Sequence, residues 1–196
     1  MALTPMSWPD PVAGDATRVL VVCTANICRS PAAAQLLRDR ASARGVGVSV
    51  SSAGFLEDGR SADPTMVALA ATRGIVVGDH RSTVVDEPLL RSADLVVTME
   101  RRHARELVVM APDHAHRVHT LLGLLEAAVR AAPSGEIDSW LRTVTADRHA
   151  ADLMGDRGAD QIPDPYGRAK RHYRTCLDSL EQGVDGLVGT LAALES

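Results

Sequence analysis

The stretch "VLVVCTANICRSPAAAQLL", Val19 to Leu37, constrains the chain more than any other. Val19–Val22 is a short, largely β-branched apolar run of the kind buried on both faces of a parallel sheet. A polar turn follows. Ser30 then precedes Pro31, a capping residue ahead of the residue favoured in a first helical turn. A buried strand that enters a helix through so short a turn is half of a βαβ unit.

The remainder repeats the pattern. "PAAAQLLRDRASARG" predicts a helix with Leu36, Leu37 and Ala41 on one face and Gly45 as its stop. "VGVSVSSAG" reads as a second strand. Asp63-Pro64 opens a helix that Gly74 closes, and "DEPLLRSA" is a short helix. "DLVVTM" (94–99) is a third buried strand, and "ERRHARELVVMA" is helical up to Pro112. "HRVHTLLGLLEAAVRAA" gives a strand or turn and then a helix. A final amphipathic helix runs from about Arg168 to Leu194. Strands alternating with helices predict an α/β fold: one open, doubly wound, mainly parallel sheet flanked by helices, with flavodoxin-like layering. The segment from about 130 to 161 carries at least one helix and is assigned no place in the sheet.

With 196 residues, the chain suits one domain with a proper core. Aromatic residues are only 3%, so that core rests on Val, Leu and Ala. A net charge of −4 argues against a nucleic-acid partner, which needs a broad basic surface. No apolar run has the length of a membrane span. Three cysteines, an odd count in a chain that needs no staples, fit a reducing, cytoplasmic setting. Residues 1–17, rich in Pro and small side chains, show no secretion signal and read as a mobile arm, with Trp8 able to dock.

The chemistry concentrates in the turn. Open α/β sheets bind ligands at the carboxyl ends of their strands, where Cys23–Ser30 sits. Main-chain N–H groups curling round such a turn, with the helix dipole, make an anion site. Arg29 adds a planar fork for two phosphate oxygens. A positive setting of this kind favours a thiolate at Cys23, a nucleophile aimed at phosphorus. The leaving oxygen then needs a general acid. "IPDPYG" offers Asp164, on a loop stiffened by Pro163 and Pro165, ahead of the last helix.

"VCTANICRSP" resembles the phosphate loop of the low-molecular-weight protein tyrosine phosphatases, whose signature is a nucleophilic Cys, five residues, then Arg-Ser. "SSAG" (51–54), "DHRS", "ADLVVTME" and "DPYG" resemble further parts of that family in order, over roughly residues 18–125 and 162–194. The chain is similar to its bacterial, actinobacterial-like members. The resemblance implies a phosphatase domain over 18–196 with an insert at about 130–161. It implies a phosphocysteine at Cys23, steadied by Arg29, with Asp164 first as acid and then as base, and neither metal nor cofactor. Thr24, Ala25, Asn26, Ile27, Cys28, Ser30 and Ser52 would bind phosphate or shape the loop. Ser30 would hydrogen-bond the thiolate, and Cys28 would be either a redox partner of Cys23 or a core filler.

Ile27 and Tyr166 stand where the related protein-arginine phosphatases carry Thr and Phe. That favours a phosphotyrosine-like aryl ester flanked by Tyr166 and Leu56. The partner would be a phosphotyrosine protein or a small aryl phosphate, with a cognate tyrosine kinase as one such protein. Three alternatives share the scaffold: a small-metabolite phosphatase, an arsenate reductase and a non-catalytic phosphate-binding module. Arsenate reduction lacks its further cysteines between Cys28 and Cys176. Ala25 replaces the usual loop glycine, a source of strain if that position needs positive φ. Ala34 and Thr83 also depart from the family pattern. His80 reads as a loop-holding residue, Trp140 as a packing anchor or a lid, and Cys176 as core. "DHAHRVH" reads as solvated loop histidines, and "ERRHARE" as a solvated helix face.

Overall fold

A computed structural model describes residues 16–148, 150–155 and 158–195. The proposed arm lies, save Ala16 and Thr17, outside the described residues, as does Trp8. Strands β1 (Thr17–Val22), β2 (Val48–Ala53), β3 (Leu95–Thr98) and β4 (Val118–Thr120) form one parallel sheet in the order β2-β1-β3-β4. Successive side chains of a strand point to opposite faces, and β1 shows it. Val19 and Val21 enter a core with Leu36, Leu37 and Leu180, whereas Leu20 and Val22 enter another with Leu89, Leu90, Ala104 and Leu107. The sheet is therefore wound on both faces, as the alternating pattern implied.

Helices α1 (Arg29–Arg44), α2 (Pro64–Ala71), α3 (Glu87–Ser92), α4 (Arg101–Met110), α5 (Leu121–Arg130), α6 (Ile137–Thr145) and α7 (Lys170–Leu194) complete the layers. α1 begins two residues before Pro31, with Cys28 rather than Ser30 at its N-cap. Ser30 is drawn into the first turn, where its hydroxyl is spent on Cys23 and Asn26 instead of on capping. Gly45 ends the helix in the left-handed region at φ 68°, the conformation a glycine reaches without a Cβ penalty. Asp63 and Asp86 cap α2 and α3, accepting from Met66 N and Leu89 N at 2.8 Å each.

The segment from about 130 to 161 supplies α6 and two 3-10 turns, Ala150–Leu153 and Gly158–Asp160. Trp140 is buried, and its indole N–H donates to the Ala131 carbonyl at 3.0 Å, so it anchors the segment. Both outer strands have a main-chain carbonyl held by an arginine. Arg38 donates to Val50 O on β2 and Arg148, from the insert, to Val118 O on β4, each at 2.7 Å.

The "DHAHRVH" histidines are not all solvated: His119 is buried, while His114 and His116 are half-buried in the turn before it. His119 lies buried on β4, donating from Nε2 to the His116 carbonyl at 3.0 Å, and His116 Nε2 meets Asp138 Oδ1 at 2.9 Å. The 3-10 turn Pro112–Arg117 leads directly into the strand, which carries His119 inward.

Candidate active site

The turn from Cys23 to Cys28 joins β1 to α1 at the carboxyl end of the sheet. β1 lies between β2 and β3, so the crossovers to its two neighbours leave on opposite faces and a cleft opens at its end. Cys23 is buried at the end of β1, its N–H donating to Ala53 O at 3.2 Å. Its Sγ lies 3.0 Å from Ser30 Oγ, in the first turn of α1. Among the described residues, no acceptor holds the main-chain N–H groups of residues 24–29. Donors of that kind, at the positive end of a 16-residue helix, suit an anion.

Asn26 is the keystone of the turn. It is fully buried at φ 52°, and its side chain donates to Ser30 Oγ and Ser52 Oγ at 2.9 Å each. Its Oδ1 accepts from Thr83 N at 2.9 Å, and His80 Nε2 donates to its carbonyl at 2.5 Å. The positive φ thus falls on Asn26, a residue type that tolerates it, and Ala25 is unstrained. Thr83 enters this network through its main-chain N–H. Gly54 closes the back of the turn: a Cβ there would stand 2.6 Å from Asn26 N and 2.9 Å from Thr24 O. Phe55 N donates to Thr24 O at 2.7 Å, binding the end of β2 to the loop.

Arg29 is 1% exposed and reaches four partners. Nη1 donates to Glu100 and, at 3.0 Å, to Ile162 O; Nη2 donates to Thr24 Oγ1 at 3.2 Å and Asp164 Oδ2 at 2.7 Å. Its buried Nε has no partner. A charged donor buried without an acceptor is costly, and a bound oxyanion would satisfy it. Burial works against its charge, but Cys23, Asp164 and Glu100 more than offset that and hold the guanidinium above its ordinary value.

Asp164 is a third exposed, and its Oδ1 accepts from Tyr166 N at 3.1 Å, a local turn that fixes the carboxyl. The Asp164 loop is tied from below: Ile162 N donates to Met99 O at 2.8 Å, and Arg101 Nε donates to Asp160 Oδ2 at 2.6 Å with both side chains 9% exposed. Tyr166 and Leu56 are exposed, each within two residues of a group bonded to the loop.

Ile27 is buried in the core, its carbonyl accepting from Asp63 N at 2.7 Å, so it shapes the loop from behind. Cys28 and Cys176 are buried free thiols. Burial pushes Cys28 far above the ordinary thiol range and Cys176 up to about 12, so both stay protonated.

The reading of "ERRHARE" as a solvated face is wrong. Glu100 bonds to Arg29 and Arg102; Arg101 and His103 are buried; and Arg102 and His103 both touch Thr24 Oγ1, at 2.8 and 3.0 Å. The signal was available: "TME" ends a buried strand, so the first turn of the next helix had to face the same cleft. A cavity of about 490 Å³ among Glu126, Arg130, Asp147 and Arg148 is lined by none of the residues from Cys23 to Ser30.

A buried thiol at a central strand end, an anion-ready turn and a carboxyl held against its arginine together define an α/β protein with an oxyanion cradle centred on a cysteine. The sequence model of the low molecular weight phosphotyrosine protein phosphatase family matches residues 18–135. The chain belongs to that family. It is 30% identical over 178 residues to a low molecular weight protein-tyrosine-phosphatase of Streptomyces coelicolor, covering 89% of this chain and 93% of the relative. Among solved structures, a low molecular weight protein tyrosine phosphatase from T. tengcongensis matches with a TM-score of 0.67 at 28% identity, covering 89% of this chain and 99% of that one. The YwlE arginine phosphatase from Geobacillus stearothermophilus matches with the same TM-score and identity, covering 90% and 93%.

Proposed function

We propose that the protein hydrolyses phosphotyrosine-type monoesters through a phosphocysteine. The observation that carries this is the convergence of Cys23, Ser30, Arg29 and Asp164 on one buried turn. A phosphoryl dianion entering the turn takes the free N–H groups and Arg29 Nε. The exchange of Arg29 from Asp164 to phosphoryl oxygens releases the carboxyl to carry a proton. Cys23 sulfur attacks phosphorus, the bond to the leaving oxygen breaks, and Asp164 gives that oxygen its proton. Water then attacks phosphorus, Asp164 takes its proton, and the S–P bond breaks to free phosphate. The Ser30 hydroxyl, 3.0 Å from the sulfur, steadies the thiolate as it departs.

Exposed Tyr166 and Leu56 supply apolar flanks for an aromatic ring. A phosphotyrosine protein is the substrate class, and a cognate tyrosine kinase is the partner that class brings to mind in bacterial relatives. The free thiols support a reducing, cytoplasmic setting, and among the described residues no helix is long and apolar enough to cross a membrane. The test is side-by-side kinetics on phosphotyrosine peptides, phosphoarginine peptides and a panel of phosphorylated metabolites, with acid-quench trapping of the phosphoenzyme. The expected result is preference for phosphotyrosine and a trapped species absent in Cys23→Ser. Folded protein that leaves p-nitrophenyl phosphate and phosphotyrosine untouched would sink the reading.

A further inference from the structure

Three nitrogen-bearing side chains converge on one hydroxyl. Thr24 Oγ1 lies 3.2 Å from Arg29 Nη2, 2.8 Å from Arg102 Nη2 and 3.0 Å from His103 Nε2. A guanidinium has no acceptor, so both arginines must donate. A threonine hydroxyl has two lone pairs and one proton, and the two arginines take both lone pairs. The third contact can be a hydrogen bond only if the hydroxyl donates to His103 Nε2.

We infer that His103 is a neutral imidazole with its proton on Nδ1, acting as the acceptor that orients Thr24 and, through it, the phosphate-binding Arg29. The rest of its surroundings agrees. His103 is 1% exposed, and its buried Nδ1 has no partner, so the contact at Nε2 alone sets the tautomer. The ring stacks on Phe55, with centroids 5.7 Å apart and planes 20° from parallel, which fixes where Nε2 points. Burial, together with Arg29 and Arg102, opposes a second proton on the ring more strongly than Glu100 favours it. A protonated ring would also aim a donor at an oxygen whose lone pairs are already spent.

His103 is therefore a positioning residue, acting two hydrogen bonds from the site where phosphate would sit. With the hydroxyl proton committed to Nε2, Thr24 holds Arg29 Nη2 on one side, while Arg29 Nη1 is held by Glu100 and Ile162 O. The fork is then braced at both tips with Nε left to the ligand. Bracing of that kind matters most in the transition state, where charge on the equatorial oxygens is redistributed.

The inference rests on the phosphatase reading only for its kinetic part, so the experiment has an arm that does not. Nitrogen-detected NMR of the intact protein with labelled histidine should show His103 with a protonated Nδ1 and a bare Nε2 from pH 6 to 8. A proton on Nε2 overturns the inference whether or not the enzyme turns over. For kinetics, His103→Phe keeps the stacked ring and removes the acceptor, and His103→Gln places a carbonyl oxygen near Nε2. His103→Phe should lower kcat about 3- to 10-fold, the scale of one well-placed hydrogen bond, with KM little changed, and His103→Gln should recover most of that loss. Adding His103→Phe to Thr24→Val should cost nothing further, since both act through the same hydroxyl. Equal impairment of Phe and Gln variants, or additive losses with Thr24→Val, overturns it. If the wild type hydrolyses nothing, the NMR arm alone decides the inference.

Discussion

The guanidinium of Arg29 and the carboxylate of Asp164, 135 residues apart in the chain, meet at 2.7 Å. The pair joins the residue that would hold phosphate to the residue that would protonate the leaving group. Replacing Asp164 by Asn keeps the shape and removes the proton. General acids contribute about 10²- to 10⁴-fold, and the loss should scale with how badly the leaving group needs a proton. Asp164→Asn is expected to slow phenyl phosphate far more than p-nitrophenyl phosphate in steady-state assays. Equal losses on the two would remove Asp164 from that role.

Asn26 performs two tasks that substitutions can separate. Its backbone sits at φ 52°, and its side chain bonds Ser30, Ser52 and Thr83. Asn26→Gly relieves the backbone while deleting the side chain, and Asn26→Ala deletes the side chain without relieving the backbone. The alanine variant should unfold at lower urea than the glycine variant, by about 1 kcal/mol, with both well below wild type.

Gly54 leaves no room behind the turn. A methyl group there meets Asn26 N at 2.6 Å, a main-chain atom that cannot swing aside. Gly54→Ala is expected to cost about 1–3 kcal/mol in chemical denaturation and to lower kcat by displacing the turn.

The Arg101–Asp160 pair, with both partners mostly buried, anchors the base of the acid loop. Removing one partner strands the other charge, at a cost of about 3–5 kcal/mol. Asp160→Leu should therefore be markedly destabilised in urea melts, and the Arg101→Met, Asp160→Leu pair less so. A double variant no better than the single would mean the charge itself is not what matters.

Two buried histidines predict acid lability. His103 and His119 are each held down to about 3 by burial, against an ordinary value of 6.5. Below pH 6.5 the unfolded chain binds protons that the folded chain refuses, so stability falls with falling pH and goes on falling towards pH 3. Each histidine contributes a slope of up to about 1.4 kcal/mol per pH unit in that window. Denaturation midpoints between pH 7 and 5 should show it, and His103→Gln or His119→Gln should each flatten the curve. Glu100, held below the ordinary carboxylate value by Arg102 and Arg29 against the opposing effect of burial, adds its own loss only below about pH 4.5.

The cradle was legible because it is written locally. Cys23, Asn26, Arg29 and Ser30 lie within one turn, and a strand–turn–helix pattern fixes where that turn must sit. Asp164 was legible through its motif. Glu100, Arg102 and His103 were masked: a charged run at the start of a helix has the periodicity of a solvated face, and its place directly after a buried strand was the one sign against that. Only the pairing of β1 with β3 brings it against Thr24. Arg101 is buried by the insert, whose course the pattern leaves open. At Ala25 the expected glycine pointed to strain, yet the neighbouring asparagine carries the unusual backbone angle. Which residue in a turn takes a positive φ is decided by the bonds that turn makes, and those come from distant strands.

The arginines on the outer strands have one last consequence. An uncovered sheet rim offers its main-chain groups to any passing extended peptide, the usual beginning of a fibril or a swapped dimer. Here Arg38 and Arg148 each occupy a rim carbonyl, at Val50 and Val118. The segment that supplies Arg148 thus takes one of β4's main-chain carbonyls out of reach of any strand that would pair there.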